Sequence, residues 1–321
     1  MATPLYLFTG FLGSGKSSVI NSLLGHFTNK RVGLILNDFG AITVDSALVK
    51  GDGEISATKS LSGGQIFCSC LAGSFVAAVE EMASLNLDAI IVEASGLAKP
   101  SPLLEIISNI QQRTNHEISY SGMICVIDAE RYHLLSQSLK TIEEQVVFSD
   151  WFIVNKIDLV DEATVEGVKA SIKGLRPLAP IFTTTFGVVD QAMIELLESS
   201  QGGVELKQIN GEAYSGWGVH GRPKNCTFLP SYPFKREALE QFLAVVSNHL
   251  FRMKGFIPTQ GEGALIVDAV GPHVKVSEGK MPPNLEPGVM AIFAANIDAL
   301  SLIEREWPNY SNTPFSCVET P

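Results

Sequence analysis

The residues from 10 to 17 are the stretch whose types and spacing predict a chemistry most directly. They read GFLGSGKS and fit the phosphate-loop pattern G-x-x-x-x-G-K-[ST] at every fixed position. Glycines allow backbone angles that side chains forbid, so successive N–H groups can turn inward around an anion. We expect Lys16 to reach the β- and γ-phosphates of a nucleoside triphosphate and the Ser17 hydroxyl to bind Mg²⁺. The alternative is a chance glycine turn before a helix.

The elements on either side of this loop favour the first interpretation. Residues 5–8 form a short apolar run that predicts a strand, and residues 18–24 predict a helix that Gly25 would end. A strand, a glycine loop and a helix are the context that the motif requires, and the helix N-terminus adds partial positive charge. We therefore predict that the nucleotide contacts a group of loop and first-turn residues, which are Gly10, Gly13, Ser14, Gly15, Lys16, Ser17 and Ser18.

A first acidic candidate follows the apolar run 32–36. Such a continuous run is typical of a strand that is buried on both faces of a parallel sheet. It is followed by Asn37 and Asp38, which places an acid near the expected phosphates. Asp38 is therefore a candidate for Mg²⁺ contact or for orienting the attacking water. Its alternative role is that of a turn residue before Gly40.

A second acidic candidate, Glu93, directly follows the apolar strand that we predict at residues 88–92. An acid that closes a strand, with Gly96 three residues later, resembles a Walker B acid followed by a turn that senses the γ-phosphate. Gly96 would let its N–H approach that phosphate closely. The alternative is a structural strand-to-helix turn with Glu93 partly buried. Our predicted catalytic and Mg²⁺ set comprises Lys16, Ser17, Asp38 and Glu93.

The segment Asn155-Lys156-Ile157-Asp158 has the pattern N-K-x-D and follows a predicted strand at 151–154. The Asp158 carboxylate can accept hydrogen bonds from both the N1–H and the 2-amino group of guanine. Adenine lacks that pair of donors and would leave the carboxylate unpaired. Asn155 would brace the loop and the Lys156 stem would cover the base. The predicted cofactors are therefore GTP and Mg²⁺.

Composition and charge exclude several classes of partner. The chain has 321 residues, enough for two domains, and a net charge of −11, which argues against broad nucleic-acid binding. No apolar stretch is long enough to span a bilayer, and the N-terminus shows no signal pattern. We expect a cytoplasmic protein that binds neither nucleic acid nor membrane.

About six predicted strands alternate with helices up to residue 200. This pattern predicts an α/β fold, a P-loop NTPase with a parallel sheet flanked by helices. Residues 51–64 are rich in Gly, Ser, Asp and Thr and predict a loop. Residues 201–225 predict a linker between the domain at 1–200 and a smaller α+β domain at 226–321, with an antiparallel sheet and a helix at 237–251.

Taken together, the segments GFLGSGKSS, NDFG, EASGLAKP, VIDA, NKID and RMKGF resemble the CobW family of GTPases, relatives of the HypB and UreG nickel-insertion GTPases. The resemblance implies a GTPase domain, a linker and a CobW-type C-terminal domain. It also implies a metallochaperone that hydrolyses GTP while delivering Zn²⁺, Co²⁺ or a similar ion to a client metalloenzyme or to cobalamin metabolism. The C-terminal sheet would serve client docking or dimerisation, and a nucleotide-dependent homodimer is one expected assembly.

The chain departs from this family at its metal loop, whose hallmark is G-C-x-C-C. Here Gln65 and Phe67 stand where two of the three cysteines are expected, while Cys68 matches and Cys70 is added. Because a tight Zn²⁺ site takes three or four sulfur or nitrogen ligands, two thiolates are not enough by themselves. Cys68 and Cys70 are thus either ligands of a cargo metal, which a partner chain could complete, or ordinary buried thiols. The alternative function is a nucleotide-gated chaperone of a corrinoid or other client protein, without a metal cargo of its own.

Overall fold

The chain folds into two compact units. The computed structural model describes residues 2–27, 30–37, 55–61, 72–115, 117–199, 224–261, 263–281, 286–293 and 297–320. The described residues up to Ser199 belong to the first unit and those from Lys224 to the second. Within these ranges, no helix combines the length and the apolarity that crossing a bilayer would require.

Strands and helices alternate along the first unit. Its strands are β1 (Thr3–Thr9), β2 (Val32–Asn37), β3 (Ile55–Leu61), β4 (Ala89–Glu93), β5 (Ile118–Asp128), β6 (Trp151–Asn155) and β7 (Ile181–Thr183). Its helices are α1 (Lys16–His26), α2 (Ala72–Ala83), α3 (Pro100–Arg113), α4 (Tyr132–Ser138), α5 (Lys140–Phe148), α6 (Glu162–Leu175) and α7 (Gln191–Ser199).

The strands of this unit form one parallel sheet with the order β3-β2-β4-β1-β5-β6-β7. Alternate residues of the central strand β1 point to opposite faces: Leu5 and Leu7 belong to one core cluster, Tyr6 and Phe8 to the other. Helices α2 and α3 contribute to the first cluster, and α1 and α7 to the second. The predicted α/β class with helices on both faces is confirmed. Because all strands run in parallel, their carboxyl ends meet at one edge of the sheet.

Two local predictions were wrong. The predicted loop at 51–64 contains strand β3, so the described sheet has seven strands where we expected about six. Its sequence, ISATKSL, lacks the continuous apolar run of a central parallel strand, which an edge position does not demand. Helix α1 includes Gly25 and ends one residue later, where the Phe27 N–H donates to the Leu24 carbonyl without any glycine cap.

The second unit contains, among its described residues, a six-stranded antiparallel sheet with the order β11-β10-β9-β12-β8-β13. Its strands are β8 (Lys224–Pro230), β9 (Arg252–Pro258), β10 (Gly263–Val270), β11 (His273–Lys280), β12 (Gly288–Phe293) and β13 (Phe315–Thr320). Helices α8 (Arg236–Val246) and α9 (Ala299–Glu306) pack on it around Phe228, Phe242 and Trp307. The antiparallel α+β class is confirmed, whereas the helix predicted over 237–251 ends at Val246 and continues only as a short 3-10 turn.

Candidate nucleotide-binding site

The phosphate loop connects β1 to α1 and depends on its glycines. The backbone φ angles are +129° at Gly10, +76° at Gly13 and +100° at Gly15, in a region that favours glycine. A Cβ at Gly10 would lie 2.1 Å from the carbonyl oxygen of Val126, and one at Gly15 would lie 2.2 Å from Nδ2 of Asn155. Both the angles and the close approach of neighbouring strands therefore require glycine here.

Positive charge is concentrated inside this loop. Lys16 is the first residue of α1 and is buried, and its ammonium donates to the carbonyl oxygens of Gly10 at 2.9 Å and of Phe11 at 3.2 Å. The N–H groups of the first helical turn lie at the same place, since a helix leaves its first N–H groups without intrahelical partners. A cationic side chain and a helix N-terminus at one loop form a site suited to phosphate.

Ser17 and Glu93 meet beside Lys16. Glu93 is the last residue of β4, only 6% exposed, and it pairs in register with Phe8 of the adjacent β1. The Ser17 hydroxyl lies 3.2 Å and 3.3 Å from the two carboxylate oxygens of Glu93. Mg²⁺ prefers hard oxygen ligands, usually one or two carboxylates together with phosphate and water. The donor set of these two residues therefore fits Mg²⁺.

The turn after β4 packs directly against the phosphate loop. A Cβ at Gly96 would lie 2.5 Å from the backbone nitrogen of Leu12. On the other side of the turn, Nε2 of the buried Gln145 in α5 donates to the carbonyl oxygens of Gly96 at 3.2 Å and Ala98 at 3.3 Å. Sequence reasoning missed Gln145, although a polar residue three positions after Ile142 on the apolar face of a helix was a usable signal.

Asn155 links three loops at the far side of the site. Its side chain is buried, and its Nδ2 donates to the Ser14 carbonyl at 2.9 Å. Its Oδ1 accepts from the Gly187 N–H at 3.0 Å. Next to it, Lys156 has a positive φ of +63°, and Asp158 lies exposed in a short 3-10 helix. The structure thus brings the N-K-x-D segment to the same sheet edge as the phosphate loop.

Asp128 is a second residue to which we assigned no role from sequence. It ends β5, is only 5% exposed, and is paired in register with Asn155 of β6. Its Oδ2 accepts from the Lys156 ammonium at 2.6 Å, and its Oδ1 accepts from the N–H groups of Glu130 at 3.1 Å and Arg131 at 3.3 Å. Backbone N–H groups of the following turn therefore fix the Asp128 carboxylate, and the carboxylate fixes the position of the Lys156 ammonium. Asp128 is the acid of the segment VIDA, so its place in one of the segments that carry the family resemblance was a usable signal.

Several predicted site residues lie outside the described part of the chain: Asp38, Cys68 and Cys70. Among the described residues, no cluster of three or more His, Cys, Asp or Glu side chains is arranged to hold a metal ion. The nearby thiol of Cys125 is a core group, because burial raises its pKa to about 12, although the charge of Lys16 opposes this shift. Near neutral pH this thiol is protonated, which makes it a poor metal ligand.

The parallel sheet, the glycine loop after its central strand and Lys16 at the helix start together define a P-loop NTPase fold. The family model described as the CobW/HypB/UreG nucleotide-binding domain matches residues 4–183. The model for the cobalamin synthesis protein CobW C-terminal domain matches residues 224–301. The chain belongs to the CobW/HypB/UreG family of P-loop GTPases, and the resemblance seen in the sequence is confirmed.

Curated relatives resemble this chain at moderate identity. The zinc chaperone CobW of a Sinorhizobium species is 26% identical over 307 residues, which cover 84% of this chain and 86% of that protein. The zinc-regulated GTPase metalloprotein activator 1 of Dictyostelium discoideum is 25% identical and covers 79% of this chain, which in turn spans 62% of that protein. Among solved structures, the Zn(II)-bound YjiA GTPase from E. coli is 17% identical, covering 97% of this chain and 100% of its own with a TM-score of 0.48.

Proposed function

We propose that this protein is a Mg²⁺-dependent GTPase that serves as a metallochaperone or activator of a client metalloenzyme. The observation that carries the nucleotide part is the convergence of Lys16, Ser17 and Glu93, with the Ser17 hydroxyl 3.2 Å from the Glu93 carboxylate. The metal part is supported by the relatives named zinc chaperone and zinc-regulated GTPase metalloprotein activator. The cargo is an ion of the Zn²⁺ or Co²⁺ type. The client metalloenzyme is one candidate recipient of this ion, and cobalamin metabolism is the other.

Each residue of the phosphate side has a separate role in this proposal. Lys16 and the loop N–H groups neutralise the β- and γ-phosphates, and the Gly96 N–H faces the γ-phosphate. Ser17, Glu93 and Asp38 hold Mg²⁺, which when bound supplies charge neutralisation for the developing negative charge on the phosphates. Glu93 and Asp38 also orient the attacking water. Hydrolysis removes the group that Gly96 contacts, and the turn after β4 relaxes as a result.

The base side selects guanine. Asp158 accepts the two donors on the guanine edge, Lys156 covers the ring with its stem, and Asn155 keeps their loop against the phosphate loop. Because Asp128 Oδ2 accepts a hydrogen bond from the Lys156 ammonium at 2.6 Å, the lysine side chain is held in place before a base binds.

Affinity measurements with two nucleotides test the guanine assignment. We expect the wild type to bind GTP about 100-fold or more tightly than ATP, because adenine leaves the Asp158 carboxylate unpaired. Asp158→Ala should abolish most of this preference. Glu162→Ala, which removes an exposed acid nearby, is the control and should leave the preference unchanged. Equal affinities of the wild type for GTP and ATP would refute the assignment.

The departure of the metal loop from the family pattern favours a second candidate, a nucleotide-gated chaperone without metal cargo. With Gln65 and Phe67 in place of cysteines, only Cys68 and Cys70 remain as thiolates there. Titration of wild type and of the double variant Cys68→Ser with Cys70→Ser by Zn²⁺ and Co²⁺ decides between the two. A loss of affinity in the variant supports the cargo site, whereas unchanged affinity supports the second candidate.

We also propose a separate role for each of three parts of the chain. Residues 1–200 act as the GTPase domain, and residues from 201 act as the linker. The predicted linker end at 225 is two residues too late, because strand β8 begins at Lys224, so 224–321 form the surface for client docking or dimerisation. We propose a cytoplasmic protein whose partners are proteins, with neither nucleic acid nor membrane among them. Sedimentation with GDP and with a non-hydrolysable GTP analogue tests the nucleotide-dependent homodimer, and identical sedimentation in both states would contradict it.

A further inference from the structure

Phe186 has two features that each cost folding free energy. Its side chain is 80% exposed, so a large apolar surface faces water. Its backbone φ is +54°, in the left-handed region that a bulky residue rarely adopts. Residues in strained backbone conformations persist where the surrounding structure enforces them, and they cluster at ligand and active sites.

The turn that carries Phe186 is fixed to the base side of the site. Asn155 Oδ1 accepts from the N–H of Gly187, and the Ile157 N–H donates to the Thr184 carbonyl at 3.4 Å. Inside the turn, the Thr184 hydroxyl donates to the carbonyl of Val188 at 2.6 Å. The N-K-x-D segment and the turn at 184–188 therefore form one hydrogen-bonded unit.

Helix α1 restrains the same turn from a third side. A Cβ at Gly187 would lie 2.8 Å from both the Val19 nitrogen and the Ser18 Cβ, so the turn lies tight against the first part of the helix. The Val189 N–H donates to the Ser22 hydroxyl at 2.9 Å. With these three hydrogen bonds, the backbone at Phe186 cannot relax without breaking contacts to the N-K-x-D segment and to helix α1.

We propose that Phe186 is a stacking residue for the purine ring of the nucleotide, because its turn is hydrogen-bonded to the N-K-x-D segment. The inference rests on the proposed function, because it needs a nucleotide base at this end of the site. Stacking would remove the exposed ring from water and so offset the two costs. An aromatic face does not read the exocyclic groups of a base. Phe186 thus adds affinity for any purine, and Asp158 adds the preference for guanine.

Affinities of GDP and of IDP, which lacks the 2-amino group, separate the two contributions. We expect Phe186→Ala to weaken both nucleotides by the same factor, about 10- to 100-fold. Phe186→Tyr should bind as the wild type does, since it keeps the aromatic face. Val188→Ala is the matched control: it removes another exposed apolar side chain from the same turn, 57% exposed, and should change neither affinity.

A glycine variant guards against a merely structural explanation. Phe186→Gly removes the ring and permits the positive φ, so the nucleotide-free protein should melt at or above the wild-type temperature while its GDP affinity falls as in Phe186→Ala. Unchanged GDP affinity in both variants would overturn the proposal, as would an equal loss in Phe186→Tyr. A wild type that binds no guanine nucleotide would instead refute the proposed function itself.

Discussion

The two ends of the candidate nucleotide site are built in opposite ways. At the phosphate end, Lys16 and Glu93 are buried and bonded to neighbouring protein groups. At the base end, Asp158 and Phe186 are exposed, and the backbone is in the left-handed region at both Lys156 and Phe186. A ligand must therefore replace internal hydrogen bonds at the phosphate end, whereas at the base end it covers groups that already face water.

This contrast indicates what each end controls. Exchange of buried bonds is sensitive to the charge and position of the phosphates, so the phosphate end should govern turnover and the distinction between GTP and GDP. The base end should govern affinity and the choice of base, with little influence on the chemical step. Substitutions at each end test this division.

The largest effect is expected for Lys16→Ala. Removal of the buried ammonium takes away the charge that the β- and γ-phosphates would meet, so GTP turnover should fall by about 10³-fold. Phosphate release under saturating GTP measures it. Lys30→Ala, which removes a partly exposed lysine paired with Glu198, loses the same charge and should keep wild-type turnover. Turnover of Lys16→Ala within a few-fold of wild type would contradict the assignment of this loop.

Glu93→Gln should lower kcat by about 100-fold and leave GDP affinity in the absence of Mg²⁺ unchanged. The amide keeps the size of the side chain and can still bond to the Ser17 hydroxyl, but it removes the negative charge that suits Mg²⁺. The Mg²⁺ dependence of turnover should shift to higher concentrations. Glu198→Gln, at an exposed position, is the control. A variant with normal Mg²⁺ dependence would remove Glu93 from the metal site.

The parts of this site that the sequence predicted are those that depend on short-range pattern. The glycine spacing fixes the loop, and Lys16 and Ser17 follow it at set positions. Glu93 closes an apolar run, which located it at the end of a strand. Strand β3 has no such run, because at its edge position a sequence with polar residues suffices.

Other features depend on which elements become neighbours. Gln145 contacts Gly96 across 49 positions of sequence, and Lys156 contacts Asp128 across 28. Such pairs follow from helix orientation and strand order, which no local pattern encodes. Phe186 is a residue for which the local sequence is misleading. Its apolar side chain predicts burial, but the restrained turn leaves it exposed.

A smaller effect is expected at the base end for Asp128→Asn. The ion pair with Lys156 is buried on the Asp128 side, so its loss should free the lysine and lower GDP and GTP affinity together by about 10-fold. Equilibrium binding of both nucleotides measures the change. Asp150→Asn is a matched control, because Asp150 is also buried and accepts from the Tyr120 hydroxyl at 2.7 Å. Asp150→Asn should lower the stability of the protein without changing either affinity. If Asp128→Asn lost affinity for GTP but not for GDP, the proposed division between the two ends would be contradicted.

The smallest effect is expected for Gln145→Met, which removes the donor to Gly96 and Ala98 and keeps a side chain of similar length. GDP has no γ-phosphate for the Gly96 N–H to meet, so its affinity should stay unchanged while the affinity for a GTP analogue falls about three- to tenfold. Gln191→Met, at an exposed position on α7, is the control. A loss of affinity for the GTP analogue alone would show that helix α5 positions the Gly96 turn for the γ-phosphate. Equal losses for both nucleotides would show that α5 supports the phosphate loop as a whole, and the γ-phosphate would then be sensed without it.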